Sequence, residues 1–240
     1  MAVETLHRPG TEKPESVSAA APLENGDLLT AREFLRRYEA MREAKKAELI
    51  EGIVYMGSPV RFNQHAAPDT LIQGWLLTYS AHTPGTVAAG NATVRLDAEN
   101  VPQPDALLRL LPQCGGHSQV DSDGYLTGPP ELIVEVAASS ASLDLHDKLR
   151  AYRRAGVVEY LIWRPGERKF DWLLLQEDDY RPNPLAAQGV LSSQAFPGLS
   201  LDVDALLALN STQVLATLQR ALDTAAHAAF AARLKDVGKL

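Results

Sequence analysis

Asp105, directly after Pro104, and Glu135, thirty residues further on, are the residues of this chain best placed to do chemistry. Glu135 stands inside the apolar run Glu131-Leu-Ile-Val-Glu-Val-Ala137, where a sequence should be building core. A charged carboxylate is almost never fully buried unless it is paired or holds a metal. Asp105 stands at the entrance to a second apolar run, Ala106-Leu-Leu-Arg-Leu-Leu111. Two acids delivered by two short strands suit a hard divalent cation. Magnesium takes one or two carboxylates, with waters and substrate phosphate oxygens filling its other positions. The plainer alternative is that Glu135 pairs with a basic residue and pins strand register.

Side chains on a strand alternate between faces. Leu132, Val134 and Val136 therefore point into the core, while Glu131, Ile133, Glu135 and Ala137 point the other way, onto the less apolar face that suits a cleft wall. Asp144 and Lys148 follow at the i,i+4 spacing of one helix face, with Leu145, Leu149 and Tyr152 as that helix's inner stripe. The pair is either a solvated helix contact worth a few tenths of a kcal/mol, or Lys148 reaches back over the Glu135 strand into the cleft. Spacing leaves both open. Phosphodiester hydrolysis would use the lysine: a carboxylate-held metal lowers the pKa of its water and acts as a Lewis acid, and an ammonium stabilises developing charge.

The elements that must position these groups follow from pattern. Residues 1–26, rich in Glu, Pro, Ala and Ser, read as a disordered leader. Thr30 and Glu33 form a capping box for a helix over Ala31–Lys46. Ala47–Met56 reads as a hairpin turning at Gly52, and His65–Ala81 as a second helix with Pro68 in its first turn. One or two strands are expected over Thr86–Leu96. After the Glu135 strand a helix is expected from Leu143 to Ala155, closed by Gly156. Strands Val157–Trp163 and Lys169–Leu175 pair antiparallel around Arg164-Pro-Gly166, with a short strand near Val190. From Asp202 onward the chain is helical, with an apolar stripe of Val214, Leu215, Leu218 and Leu222.

The bulk numbers set bounds. The 240 residues are most economically one domain with extensions. One cysteine, Cys114, excludes an internal disulfide framework and a cysteine-based zinc site, and fits a reducing compartment, so a cytoplasmic location is expected. No apolar run reaches membrane-spanning length and no secretory h-region is seen. The net charge of −7 counts against coating nucleic acid by bulk electrostatics, though a local basic patch remains open. Arg150, Arg153 and Arg154 offer such a patch, or a solvated helix face. His65 is either a proton carrier or phosphate contact, or a helix-start histidine in a structural hydrogen bond.

An ordered set of short motifs resembles the Uma-two family of predicted endonucleases in the restriction-endonuclease-like PD-(D/E)XK superfamily. It comprises Glu48-Leu-Ile-Glu-Gly52, Ser58-Pro59, His65, Gln103-Pro-Asp105, Pro130-Glu-Leu-Ile-Val-Glu-Val136, Ser139 and Ser140, Asp144, Lys148, Tyr152, Gly156-Val-Val-Glu-Tyr160 and Phe196-Pro-Gly-Leu-Ser-Leu201. The resemblance covers roughly Leu29 to Leu206 and implies an α/β restriction-endonuclease-like fold, a mixed β-sheet flanked by α-helices. It implies Mg²⁺-dependent DNA cleavage, with Mn²⁺ as a substitute. Asp105 and Glu135 match the motif acids and would be metal ligands. Glu48 matches an acid near the end of the first helix, a third ligand or orienter, and Lys148 matches a lysine displaced onto the following helix. Glu51 is the alternative to Glu48, since hairpin alternation puts the two on opposite faces. Two departures stand out. Ala137 occupies the place of the general motif lysine, and the family's proline after the strand serine is missing within Ala138-Ser-Ser-Ala141.

The leading expectation is a metal-dependent endodeoxyribonuclease with Asp105, Glu135, Lys148 and Glu48 in its site. Two others stand beside it: a catalytically weak relative that binds nucleic acid without cutting, and a homo-oligomeric interaction protein with a vestigial acidic cleft. The nuclease domain is expected over 27–206 and an amphipathic helical extension over 207–240, packing on the chain's own core or against a second copy, and a homodimer is expected.

Overall fold

Hydrophobic alternation along a few short strands gives the chain its central layer. The computed structural model describes residues 20–41, 46–138, 141–184 and 189–237. Helix α1 (Ala31–Ala40) starts at Thr30, whose hydroxyl accepts from the Glu33 amide at 3.4 Å. It ends six residues earlier than the pattern suggested, and residues 42–45 of the expected span lie outside the described residues. Strands β1 (Ala47–Ile50) and β2 (Ile53–Met56) form the expected hairpin. A single π-helical turn, Phe62–Ala66, leads into α2 (Ala67–His82). Then come β3 (Thr86–Gly90), β4 (Val94–Arg95), β5 (Ala106–Leu110), β6 (Gln119–Val120), β7 (Leu126–Thr127) and β8 (Leu132–Val136). Helices α3 (Ala141–Leu145) and α4 (Asp147–Ala155) precede β9 (Glu159–Arg164), β10 (Lys169–Gln176) and β11 (Asp179–Pro182). The chain closes with β12 (Val190–Ser192), β13 (Ser200–Asp202), α5 (Val203–Leu207), α6 (Ser211–Leu222) and α7 (Ala225–Val237).

The main sheet has the order β11-β10-β9-β8-β5-β3. Only β8 and β9 run parallel; the other neighbours are antiparallel. A parallel pair needs a crossover, and α3 and α4 supply it. The result is a mixed sheet with helices on both faces. On one face α2, α5, α6 and α7 bury Trp75, Leu132, Val134, Leu218 and Phe230 together. On the other, the residues after β8 cover Ile133, Ala137, Tyr152, Tyr160 and Ile162. A third apolar group joins α1 to the β1–β2 hairpin through Phe34, Leu49 and Val54, and it includes Leu23. The Gly26 amide donates to the Val54 carbonyl at 2.8 Å, so packed chain begins inside the stretch read as leader.

Three further expectations change. The helix drawn over Leu143–Ala155 is two helices meeting near His146. Strand β11 was not expected; it pairs with β10 as a hairpin around Glu177 and Asp178, both in the left-handed region. The C-terminal stripe covers the chain's own sheet: Val214, Leu218 and Leu222 are buried, Thr217 joins them, and Leu215 is exposed. Cys114 is buried against α7, its thiol 3.7 Å from the Leu234 carbonyl. No described helix is long and apolar enough to cross a membrane.

Candidate active site

Four segments bring charged side chains to one buried place beside the carboxyl end of β8. The first is β1. Its turn, Glu51-Gly52, has both residues in the left-handed region (φ 52° and 77°), as a two-residue hairpin with the sheet's natural twist requires. The register pairs Ile50 with Ile53 and Glu48 with Tyr55. The pleat then sends Ala47 and Leu49 into the Phe34 layer and Glu48 the opposite way. Glu51 faces outward, where it accepts from Arg150 and Arg154 at 2.7 Å each. Glu48 is therefore the hairpin acid that turns to Glu135.

The second segment is the extended stretch before β5. The Gln103 amide donates to Glu48 Oε1 at 2.7 Å, which ties this stretch to β1. Asp105 follows, and its Oδ2 accepts from the Val136 amide at 2.8 Å, next to Glu135 on β8. The third segment is β8, with the expected alternation: Leu132, Val134 and Val136 in one core layer, Ile133 and Ala137 in the other. The Glu135 face is not an open wall, since every residue of β8 is buried and Glu135 is only 2 % exposed.

The fourth segment is the α3–α4 pair. Lys148 is also 2 % exposed, and its Nζ lies 2.9 Å from Glu48 Oε1, 3.0 Å from Glu135 Oε1 and 3.4 Å from Asp144 Oδ1. The solvated-pair reading of Asp144 and Lys148 is thus replaced by a buried ion cluster. The break near His146 leaves Asp144 and Lys148 within reach while turning both inward. Tyr152, one turn on, donates its hydroxyl to Glu135 Oε1 at 2.8 Å, and its ring stacks edge-on against Tyr160 at 5.0 Å. The Tyr160 hydroxyl donates to the Asp144 carbonyl at 2.9 Å, holding the helix break in place.

A second lysine enters from a position the sequence pattern did not single out. Lys46 lies two residues before Glu48, hence on the same face, and its Nζ is 3.0 Å from Asp105 Oδ1. That spacing was the available signal. His65, on the π-helical turn, places Nε2 3.3 Å from Asp105 Oδ2. Lys46 is 28 % exposed, so the site has a sealed ammonium and one that reaches solvent. Ser139 and Ser140 lie outside the described residues.

The electrostatics follow from burial and neighbours. Burial drives the Glu135 carboxyl up to about 8 against the pull of Lys148, and the nearby Asp144, Asp105 and Glu48 add to the rise. Burial alone would lower Lys148, but Glu135, Glu48 and Asp144 outweigh it and hold the ammonium well above its ordinary range. Burial likewise opposes ionisation of Asp105, but the His65 hydrogen bond and the Lys46 and Lys148 charges hold it well below the usual carboxylate range. The same hydrogen bond raises His65. Burial and the surrounding carboxylates keep the Tyr152 phenol protonated, consistent with its role as donor.

The donor set is hard oxygen from carboxylates, the class that suits magnesium. Glu48 Oε1 and Glu135 Oε1 both touch one ammonium nitrogen, so they lie within about 6 Å of each other. Among the described residues, no three His, Cys, Asp or Glu side chains gather closely enough to hold a metal. The residues fit an ion bound by one or two carboxylates and otherwise by water, not a closed three-acid cage. The basic run on α4 is engaged elsewhere: Arg150 also reaches Asp147 at 2.6 Å, and Arg153 lies 3.6 Å from Asp179.

Comparison with known proteins adds to this geometry. The profile of the Uma2 family, described as "Putative restriction endonuclease", matches residues 31–204. The crystal structure of a "putative nuclease belonging to DUF820" from Anabaena variabilis ATCC 29413 is similar in fold, with a TM-score of 0.58 and 14 % sequence identity over 75 % of this chain and 98 % of that one. A search of curated proteins finds no match.

Proposed function

The chain belongs to the Uma2 family, and on that premise we propose that it is a metal-dependent endodeoxyribonuclease that hydrolyses DNA phosphodiester bonds. The observation that carries the reading is the convergence of Glu48, Asp105 and Glu135 with Lys46 and Lys148 at one end of β8. With Asp144, four acids face two ammonium groups, and burial holds a proton on Glu135 that a divalent cation would displace on taking the carboxylate. Asp105 and Glu135 are the proposed direct ligands for Mg²⁺, with Mn²⁺ as substitute, and Glu48 is the supporting acid that would reach the ion through water or orient its ligands. Such an ion would polarise the phosphoryl oxygen and lower the pKa of its water.

The chain's own residues do the rest. Lys148 keeps Glu48 and Glu135 side by side, and Tyr152 fixes the Glu135 oxygen it donates to. Lys46 offers an ammonium of three N–H groups, one directed at Asp105, to an incoming phosphate. His65 sits where it can hold or pass a proton beside Asp105. A cytoplasmic homodimer belongs to the same reading, formed through a surface other than the α6 stripe, which is buried on the chain's own sheet.

One observation favours a second reading, a relative that binds nucleic acid without cutting it. Ala137 is buried where the motif lysine would stand, and the Lys148 ammonium is already surrounded by three acids. Nicking of supercoiled plasmid in Mg²⁺ or Mn²⁺ separates the two. Wild type should nick, EDTA should stop it, and Glu135→Ala should abolish it at a stability cost of about 1–3 kcal/mol, because the buried Tyr152 hydroxyl loses its acceptor. Lys148 keeps Glu48 and Asp144 as partners in that variant, so no buried charge is stranded. Metal-independent DNA binding with no nicking would establish the second reading.

A further inference from the structure

The segment between β2 and α2 forms a ledge that begins and ends at the active site. Every residue from Gly57 to Gln64 is exposed, and the segment contains no acid. At its start the Gly57 amide donates to the Lys46 carbonyl at 2.9 Å. At its end the π-helical turn carries His65 onto Asp105. The two basic groups on Asp105 thus bracket the exposed segment: Lys46 through its backbone bond to Gly57, and His65 directly after Gln64. Single π-helical turns are frequent at functional sites. This one presents Phe62, 74 % exposed, at its first position, with Val60 63 % exposed and Arg61 between them. Among the described residues, little packs against an aromatic ring that open.

We propose that this ledge is the docking surface for an unpaired stretch of DNA, with one base stacked on Phe62 and the adjoining phosphates toward Arg61, Lys46 and His65. The inference rests on the nuclease reading and deepens it by naming the substrate class: single strands, flaps or frayed ends rather than intact duplex. Two observations together point to this occupant. Arg61, exposed beside the ring, complements a phosphate backbone, and the surface runs through His65 to Asp105, where Lys46 also ends, so it is continuous with the site where a phosphodiester would be cut. A base has a π-face whatever its sequence, so a lone exposed aromatic beside basic groups suits single strands, in which that face is free.

The test uses a fluorescein-labelled single-stranded oligonucleotide of mixed sequence and the same sequence as a blunt duplex, both in EDTA so that no strand is cut. Phe62→Ala should weaken single-strand binding about tenfold and duplex binding less than about twofold, with no change in melting temperature, because the ring is exposed. Phe62→Trp should keep single-strand affinity, and its emission should be quenched by the oligonucleotide above a constant background from Trp75, Trp163 and Trp172, all buried. Unchanged single-strand affinity in Phe62→Ala, or equal loss on both substrates, would overturn the ledge while leaving the nuclease reading to its plasmid test. Wild-type self-association by light scattering that Phe62→Ala abolishes would assign the ledge to a second copy of the chain instead. A wild type that binds neither oligonucleotide in EDTA would overturn the ledge, and the nuclease reading would still stand or fall on plasmid nicking in Mg²⁺ or Mn²⁺.

Discussion

Glu135 and Glu159 are buried carboxylates on neighbouring parallel strands, and they are satisfied in opposite ways. Glu159 Oε1 accepts from the Ser193 hydroxyl at 2.9 Å and from the Gln194 and Ala195 amides at 2.8 Å each, while Oε2 accepts from Trp172 Nε1 at 2.9 Å. All four donors are neutral, and three come from one turn that the acid clamps to the sheet. Glu135 is held instead by an ammonium and a phenol, with three further acids close by. Burial raises both carboxyls. A buried acid alone is therefore no mark of chemistry in this fold. What separates the two is the donor set: fixed neutral dipoles make a structural clamp, and mobile protons with excess negative charge make a site that can exchange an ion or a proton.

The largest effect expected from this contrast comes from removing the cation rather than either acid. Lys148→Met strands Glu48, Glu135 and Asp144 in a dry place, and stability should fall by about 3–5 kcal/mol. The melting temperature should then drop by roughly 10 °C, with partial recovery at acid pH as the stranded carboxylates protonate. A small change at neutral pH would mean that the cluster is more hydrated than its burial indicates.

Glu159→Gln comes next. An amide in place of the carboxylate turns one acceptor into a donor against Trp172 or against the 193–195 turn, at a cost of about 2–3 kcal/mol. Plasmid nicking per folded molecule should be unchanged. A variant that folds yet loses nicking would break the division drawn between the two acids.

The smallest effect concerns pH. The Glu135 carboxyl is raised from an ordinary 4.5 to about 8, so the native state holds a proton that the unfolded chain releases. Its contribution to stability is fully present below about 4.5 and fades as the pH rises through about 8. Melting temperature followed from pH 6 to 9 should show that decline in wild type and a flatter curve in Glu135→Gln. The rise in melting temperature produced by Mg²⁺ should grow over the same interval, because the ion takes the carboxylate form. A magnesium effect that is identical in Glu135→Gln would remove Glu135 from the ligand set.

Much of this was legible along the chain because it depends on neighbours in sequence. The hairpin follows from Glu51-Gly52, and the faces of β8 follow from alternation, which put Glu135 opposite Leu132, Val134 and Val136 without any contact being known. The i,i+4 spacing of Asp144 and Lys148 put them on one side, but whether that side met water or Glu135 depended on how α4 lies against β1 and β8. Lys46 sat in plain view two residues before Glu48, yet nothing local says that its side chain crosses to Asp105, 59 positions away. Glu159 belongs to the same motif set as Tyr160 and was indistinguishable by type from a functional acid. Three of its four donors come from a turn more than thirty residues later.

The amino-acid sequence by itself determined the β1–β2 hairpin, the strand that carries Glu135 with its two faces, and the short list of acids, because periodicity and turn chemistry act over a few residues. The tertiary structure alone decided which acid meets an ammonium and which meets a backbone amide. Burial and pairing set the charge state of a carboxylate, and both are properties of what surrounds it in space.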